Sequence, residues 1–386
     1  MEFKFDQVVE RRNTNCLKWD VADRIFQGKD LLPMWVADMD FPTAPAIQAE
    51  LNKRVEQGVF GYGVLPSEYY QAVIDWMKRR HHCEVKREQM IYSAGVVSAL
   101  YYAVQAVTQP GDEVMVNTPV YHPFYQAVEN QGRVLVKSPL KEEDLYYTFD
   151  FADMERRVTP KTKALLLCSP HNPVGRVWKR EELEQLAEFC LRHDLVVIAD
   201  EIHNDLVFEA HTMFLNVSPE IAQRTILCTA PSKTFNLAGI QASNIIIPNE
   251  ELFQKYREAA VRAHAPSAHS FVAPAVIGAY DYSEEWLDQL LGYLEGNMDL
   301  FCSTIAKEIP GLRVRKPEGT YLAWVDCSGL KLEPDELKRF FVEKCGLAIS
   351  VGSSFGEEGK YFARFNLACP RSYVEECLRR LKAGCC

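Results

Sequence analysis

The feature that most constrains this chain is a series of seven short apolar runs, at residues 90–92, 113–116, 134–136, 164–168, 195–199, 225–228 and 244–247. Each is too short for a buried helix, which predicts strands covered on both faces. Helix-like stretches lie between most of them, at 98–107, 124–130 and 181–193. Residues 229–239 break the alternation and read as a functional loop. Strands alternating with helices predict an α/β fold built on a seven-stranded, mostly parallel sheet with helices on both faces.

The rhythm changes beyond residue 284. A long helical stretch, 284–309, is followed by strand-like pieces at 312–315, 321–325, 348–351 and 361–367, and by helices at 334–344 and 373–382. That mixture predicts a smaller α+β domain, with the long helix as the connection. A chain of 386 residues exceeds one simple core, and 47% hydrophobic residues suffice for two.

Ligands of a parallel sheet sit beyond the carboxyl ends of its strands. Five of the runs lead into residues able to serve one. Ser93-Ala94-Gly95-Val96-Val97 follows the first and opens a helix, whose free N–H groups attract phosphate. Tyr121 follows the second between two prolines, placed to stack on a planar ring. Asn172 lies in a turn-rich loop after the fourth, and Asp200 closes the fifth. Lys233, after the sixth, is an amine able to form an imine, with Ser232 beside it. Singly, most have plainer readings: a strand-to-helix turn, a core aromatic, an Asx turn, a chance Ser-Lys pair. A carboxylate ending a buried strand is harder to dismiss, because it is costly without a partner. Five such residues in one order would line one edge of the sheet.

The net charge is −10 and no Lys/Arg cluster stands out, so nucleic acid and anionic membranes are poor partners. No apolar run reaches the ~20 residues of a membrane span. Residues 1–6 lack a signal peptide's apolar stretch. The twelve cysteines form no C-x-x-C pair and no paired His spacing indicates a metal, which predicts reduced thiols in a cytoplasmic protein. The closing Cys385-Cys386 reads as a thiol-bearing tail rather than a prenylation signal, since no polybasic run precedes it.

Together these motifs resemble the fold-type I enzymes of pyridoxal 5′-phosphate (PLP), the aspartate aminotransferase superfamily. Within it the chain is similar to the MalY/PatB-type cystathionine β-lyases, or C–S lyases. That likeness rests on Pro33-Met34-Trp35-Val36-Ala37-Asp38-Met39-Asp40-Phe41, Phe60-Gly61-Tyr62-Gly63, Asp200-Glu201-Ile202-His203 and Ser232-Lys233-Thr234-Phe235-Asn236. It implies a PLP-transferase-like fold with residues 46–285 as the PLP-binding domain, 286–386 as the small domain and 1–45 contributing to the latter. Lys233 would carry PLP as a Schiff base, Asp200 would meet its pyridine nitrogen, and Tyr121 would stack on the ring. Asn172 and His203 would bond the ring oxygen, while Gly95, Val96, Val97 and Ser232 would hold the phosphate. Tyr62 would reach a neighbouring subunit's phosphate, making a homodimer with shared sites. Arg364 would grip the α-carboxylate of an amino-acid substrate, with Ala37 and Asn172 beside it.

One departure stands out. Many aminotransferases carry a phosphate-binding Arg in a Gly-x-Arg pattern shortly after the lysine; here Gly239-Ile240-Gln241 is neutral. The resemblance therefore implies β-elimination from cystathionine or cysteine S-conjugates, giving thiol, pyruvate and ammonia. The alternatives are a class I/II aminotransferase and, from another class, a regulatory protein that binds a transcription factor.

Overall fold

The computed structural model describes residues 2–385; Met1 and Cys386, with the terminal-thiol reading of the latter, lie outside it. All seven runs form strands: β1 (Met90–Ser93), β2 (Glu113–Thr118), β3 (Val134–Pro139), β4 (Thr162–Cys168), β5 (Val196–Asp200), β6 (Thr225–Thr229) and β7 (Ser243–Ile246). They make one sheet in the order β1-β7-β6-β5-β4-β2-β3. Only β7 runs against its neighbours; every other pair of adjacent strands is parallel. The carboxyl ends of β1, β2, β4, β5 and β6 therefore share one edge.

Side chains alternate across these strands as the pleat requires. Val114, Val116, Ala164 and Leu166 pack under α1 (Val96–Val107), α2 (Pro123–Glu129) and the helix Glu250–Arg262. Met115, Leu165 and Leu167 face the opposite way, toward Trp76, Leu183 and Ala275 of the helices Ser67–His81, Arg180–Arg192 and Val272–Tyr282. Burial on both faces explains why these strands read as unbroken apolar runs.

The loop expected at 229–239 instead contains a helical turn, α3 (Pro231–Thr234). Pro231 starts it, and the Phe235 N–H donates to the Pro231 carbonyl at 2.9 Å. Beyond it, α4 (Glu284–Glu308) leads to an antiparallel sheet of β8 (Arg313–Val314), β9 (Leu322–Asp326), β10 (Ser350–Val351) and β11 (Phe362–Asn366), in the order β8-β9-β11-β10, with α5 (Arg371–Cys385) at the end of the chain. The single strand expected at 348–351 is in fact two pieces in different sheets. Leu347–Ala348 pairs in parallel with Leu32–Pro33, and only Ser350–Val351 joins β11. The helix expected at 334–344 is α-helical to Arg339 and then widens into a π turn, Phe340–Lys344.

After Leu32–Pro33 the N-terminal segment crosses the edge of the large sheet. A buried charge cluster pins it. Asp40 accepts from Lys18 Nζ at 2.6 Å, from Arg11 Nη1 at 2.6 Å and from Trp19 Nε1 at 2.8 Å. Arg11 also reaches Asp38 at 2.8 Å. Burial pushes the Asp40 pKa up, but the Lys18 and Arg11 charges more than reverse this and hold it below the usual carboxylate range. Among the described residues no helix is long and apolar enough to cross a membrane, and the ten cysteines from Cys16 to Cys377 are free thiols.

The cluster makes a stability prediction. Lys18 is fully buried and Asp40 is 2% exposed, so Asp40→Asn should cost roughly 3 kcal/mol by leaving Lys18 without its main partner. Chemical denaturation should show the loss, and the double variant Lys18→Met/Asp40→Leu should recover most of it. An unchanged midpoint in Asp40→Asn would show that the cluster is not what holds the segment.

Candidate active site

A cavity of about 520 Å³ opens at the edge where the five strands end. Its floor is built from β5 and β6. Asp200, the last residue of β5, is 5% exposed and accepts the Ile202 N–H at 3.1 Å. Burial pushes its carboxyl up to about 7, against the pull of that N–H and of Lys233. Lys233 projects from α3, and its Nζ donates to the Ala37 carbonyl at 2.7 Å. Burial, reinforced by the Arg364 charge, lowers its pKa to about 8.

Arg364 comes from β11 of the small sheet and is 5% exposed, which excludes a surface strand position. Its Nη1 donates to Asn172 Oδ1 at 3.0 Å and its Nη2 to the Trp35 carbonyl at 3.0 Å. Its Nε has no partner, and among the described residues no carboxylate pairs with it. Burial lowers its pKa to about 10.

The remaining expected residues gather around these three. Tyr121 and Asn172 line the wall, joined by the Tyr121 N–H donating to the Asn172 carbonyl at 3.1 Å. His203 is buried with Nδ1 unpartnered; burial, then Lys233 and Arg364, keep its pKa well below the usual histidine range, so the ring is neutral. Gly95, Val96 and Val97 open α1 at one end, with Ser232 and Gln241 in the same wall. Gly95 has φ +95°, and an added Cβ would meet nothing within 4 Å, so a glycine is needed for the backbone shape and leaves room in front of the helix end. Tyr62 alone among the expected residues does not line this cavity and is fully exposed.

Three participants escaped the reading of the sequence. The Tyr321 hydroxyl donates to the Ala37 carbonyl at 2.8 Å, the same oxygen that Lys233 holds. Trp35 contributes its carbonyl to Arg364 and also lines the cavity. His122 lines it beside Tyr121, with ring centroids 5.2 Å apart. Nothing in the local pattern marked Tyr321, which sits immediately before a strand. Trp35 and His122 stood inside motifs already singled out, one residue or two from the expected positions.

This arrangement fits PLP. A buried carboxyl held near neutrality answers a pyridine nitrogen, which brings a proton and a positive charge. A glycine-led helix N-terminus with Ser232 suits a phosphate. A lysine of lowered pKa suits imine formation.

The class I and II aminotransferase family model matches residues 29–381, and the chain belongs to that family. Cystathionine β-lyase PatB of Bacillus subtilis is 41% identical over 383 residues, covering 98% of this chain and 99% of its own. The cystalysin of Treponema denticola, whose structure contains PLP, superposes with a TM-score of 0.96 at 37% identity, covering 100% and 99% of the two chains. The PLP-bound C–S lyase of Staphylococcus hominis gives 0.94 at 32% identity, with the same coverage. The fold is that of the fold-type I PLP enzymes.

The lowered lysine pKa predicts how PLP is captured. With a pKa of about 8, roughly one Lys233 in ten is neutral at pH 7, against about one in several thousand for an ordinary lysine. Only the neutral amine attacks an aldehyde. The rate at which apoenzyme regains its visible, borohydride-bleachable absorption should therefore rise with pH and level off above about 8. A rate still climbing steeply at pH 10 would mean that the amine titrates as in water.

Proposed function

We propose that this protein is a PLP-dependent carbon–sulfur β-lyase, cleaving L-cystathionine or cysteine S-conjugates to a thiol, pyruvate and ammonia. The observation that carries the reading is the convergence of Asp200, Lys233 and Arg364 in one cavity, each with its charge disfavoured by burial and none bonded to another. The lyase rather than transferase outcome is supported by the relatives named above and by neutral Gln241 in the segment where many transaminases carry Arg.

Bound here, PLP supplies an electrophilic carbon for the substrate amine and an electron-accepting ring. Lys233 would hold the cofactor, and its amine, with a pKa of about 8, is suited to take the proton from the substrate α-carbon near neutrality. Asp200 would keep the ring nitrogen protonated, Tyr121 would hold the ring, Asn172 and His203 would serve its oxygen, and Gly95, Val96, Val97 and Ser232 would hold the phosphate. Arg364 receives the α-carboxylate in a two-pronged contact, with Asn172 and Ala37 flanking it. The thiolate leaves from the β-carbon, and water completes the overall conversion to pyruvate and ammonia.

The test is turnover without an oxo acid. Purified holoenzyme given L-cystathionine or S-ethyl-L-cysteine should release pyruvate, ammonia and thiol in equal amounts over many cycles. Elimination returns the cofactor unchanged, whereas transamination stops after one cycle until 2-oxoglutarate is added. A strict need for 2-oxoglutarate would replace the lyase with an aminotransferase.

The same reading takes the working unit as a homodimer in the cytoplasm. It treats residues 46–285 as the PLP-binding domain and 286–386 with 1–45 as the smaller one, the latter supported by the pairing of Leu32–Pro33 with Leu347–Ala348. Phe60, Tyr62 and Val64 are 58%, 107% and 83% exposed, an apolar patch suited to a subunit interface. With Tyr62 serving the partner's phosphate, Tyr62→Ala and Lys233→Ala subunits should each be nearly inactive. Mixed under conditions of proven exchange, they should recover up to about a quarter of wild-type activity, because half the dimers then hold one intact site. No recovery would place Tyr62 outside the partner's site.

A further inference from the structure

The residues of the cavity wall that remain open to solvent fall into two groups. Val97 belongs to the opening turn of α1, and Ala238 and Gln241 follow α3, while His122 follows Tyr121 and Leu17 precedes Lys18, whose carbonyl accepts from Trp35 Nε1 at 3.0 Å. Two of the latter are tied to Arg364 itself: Trp35 through its carbonyl, at 3.0 Å, and His122 through the guanidinium charge acting on its ring. In a thioether substrate the sulfur is two bonds from the carbon that bears the carboxylate. If Arg364 holds that carboxylate, the departing half extends from beside Arg364 into the cavity that this second group also lines.

The chemistry there is uncharged. The only Asp, Glu, Lys or Arg among the lining residues are Asp200, Lys233 and Arg364, all already committed. Leu17 is 59% exposed and apolar. The Trp35 Nε1 is spent on the Lys18 carbonyl at 3.0 Å, and its ring is braced edge-on by Phe26 at 5.2 Å, so it offers a fixed aromatic surface. Burial and Arg364 both lower the His122 pKa, which leaves a neutral imidazole at physiological pH. Phe60, Tyr62 and Val64, read above as suited to a subunit interface, carry no charge either.

We propose that Leu17, Trp35 and His122 form a leaving-group subsite that selects an uncharged thiol, so that S-alkyl and S-aryl cysteine conjugates are better substrates than cystathionine. The departing half of cystathionine carries an ammonium and a carboxylate, and neither finds a counter-charge here. An alkyl or aryl tail instead covers the apolar faces of Trp35 and Leu17, which is favourable in proportion to the area removed from water. The proposal rests on the C–S lyase reading.

The experiment compares kcat/KM of the holoenzyme for S-ethyl-L-cysteine, S-benzyl-L-cysteine and L-cystathionine, with pyruvate and thiol measured together. The uncharged conjugates should lead by about tenfold or more, because a charged tail gains nothing from the wall and loses part of its hydration. Leu17→Glu, at an exposed position, offers a carboxylate to the distal ammonium; it should shrink the benzyl-to-cystathionine ratio by about threefold, the scale of an exposed ion pair. Cystathionine matching or beating the conjugates, or a ratio unmoved by Leu17→Glu, would overturn the subsite while leaving the lyase intact. If none of the three released thiol and pyruvate without an oxo acid, the lyase reading would fall and the subsite with it.

Discussion

The constraint on which the rest depends is the burial of three ionisable groups in one cavity without an ion pair among them. Asp200, Lys233 and Arg364 come from β5, α3 and β11, and burial moves each pKa toward its neutral form. Such an arrangement is costly, and a chain selected for stability alone would pair or remove the charges. Here the fold keeps them apart. Asp200 is fixed at a strand end by the Ile202 N–H, Lys233 reaches a backbone carbonyl, and Arg364 meets only neutral acceptors. Under the proposed function each would thereby be matched to a group arriving from outside: a protonated ring nitrogen, an electrophilic aldehyde, an anionic carboxylate. Strain toward neutrality in the free site becomes differential stabilisation once those groups are bound.

Holding the groups apart requires a rigid wall between them, and the N-terminal segment supplies it with backbone rather than side chains. Its carbonyls are claimed one after another. Trp35 serves Arg364, Ala37 serves both Lys233 and Tyr321, and Asp38 serves Asn366 at 2.6 Å. Asn236, two residues past α3, donates to the carbonyls of Met39 and Phe41 and accepts the Met39 N–H, at 2.9–3.0 Å. Beneath this ladder lies the cluster of Arg11, Lys18, Asp38 and Asp40. The lysine turn, the small sheet and the N-terminus are thus tied to one stretch of extended chain, whose charge cluster includes Asp38, next to the Ala37 carbonyl that Lys233 holds.

The legibility of this site in the sequence follows from the same physics. Strands buried on both faces cannot hide, because the middle of β4 or β6 is an unbroken apolar run, and the residue that ends such a run stands out by polarity. Asp200 was visible for that reason, and Gly95 and Lys233 by position after a run. The helical turn at Pro231–Thr234 was not visible, because four residues carry too little periodicity to distinguish a turn of helix from a loop. The break between Leu347–Ala348 and Ser350–Val351 depends on a partner more than 300 residues away, the Leu32–Pro33 pair. Arg364 was legible only through family likeness, since strand alternation does not say which face meets another domain. Tyr321 acts through a hydroxyl donated to a carbonyl 284 residues distant, a contact that no local pattern encodes.

The same division of labour explains how one site can be strict about the amino-acid core and tolerant beyond it. In the proposed reaction the α-carboxylate would meet a guanidinium that the fold has already desolvated, so binding would recover charge-assisted hydrogen bonds without a further burial cost on the protein side. The amine would meet a cofactor held by Lys233. Both anchors lie on the α-carbon, and neither senses what the β-carbon carries. On the subsite proposed above, discrimination among leaving groups would fall to Leu17, Trp35 and His122, which line the cavity and carry no formal charge. Apolar contact changes gradually with size and shape, whereas a missing ion pair in a desolvated site is felt steeply. A site built this way would accept a range of thioethers, because its steep interactions would all fall on the part of the substrate that every one of them shares.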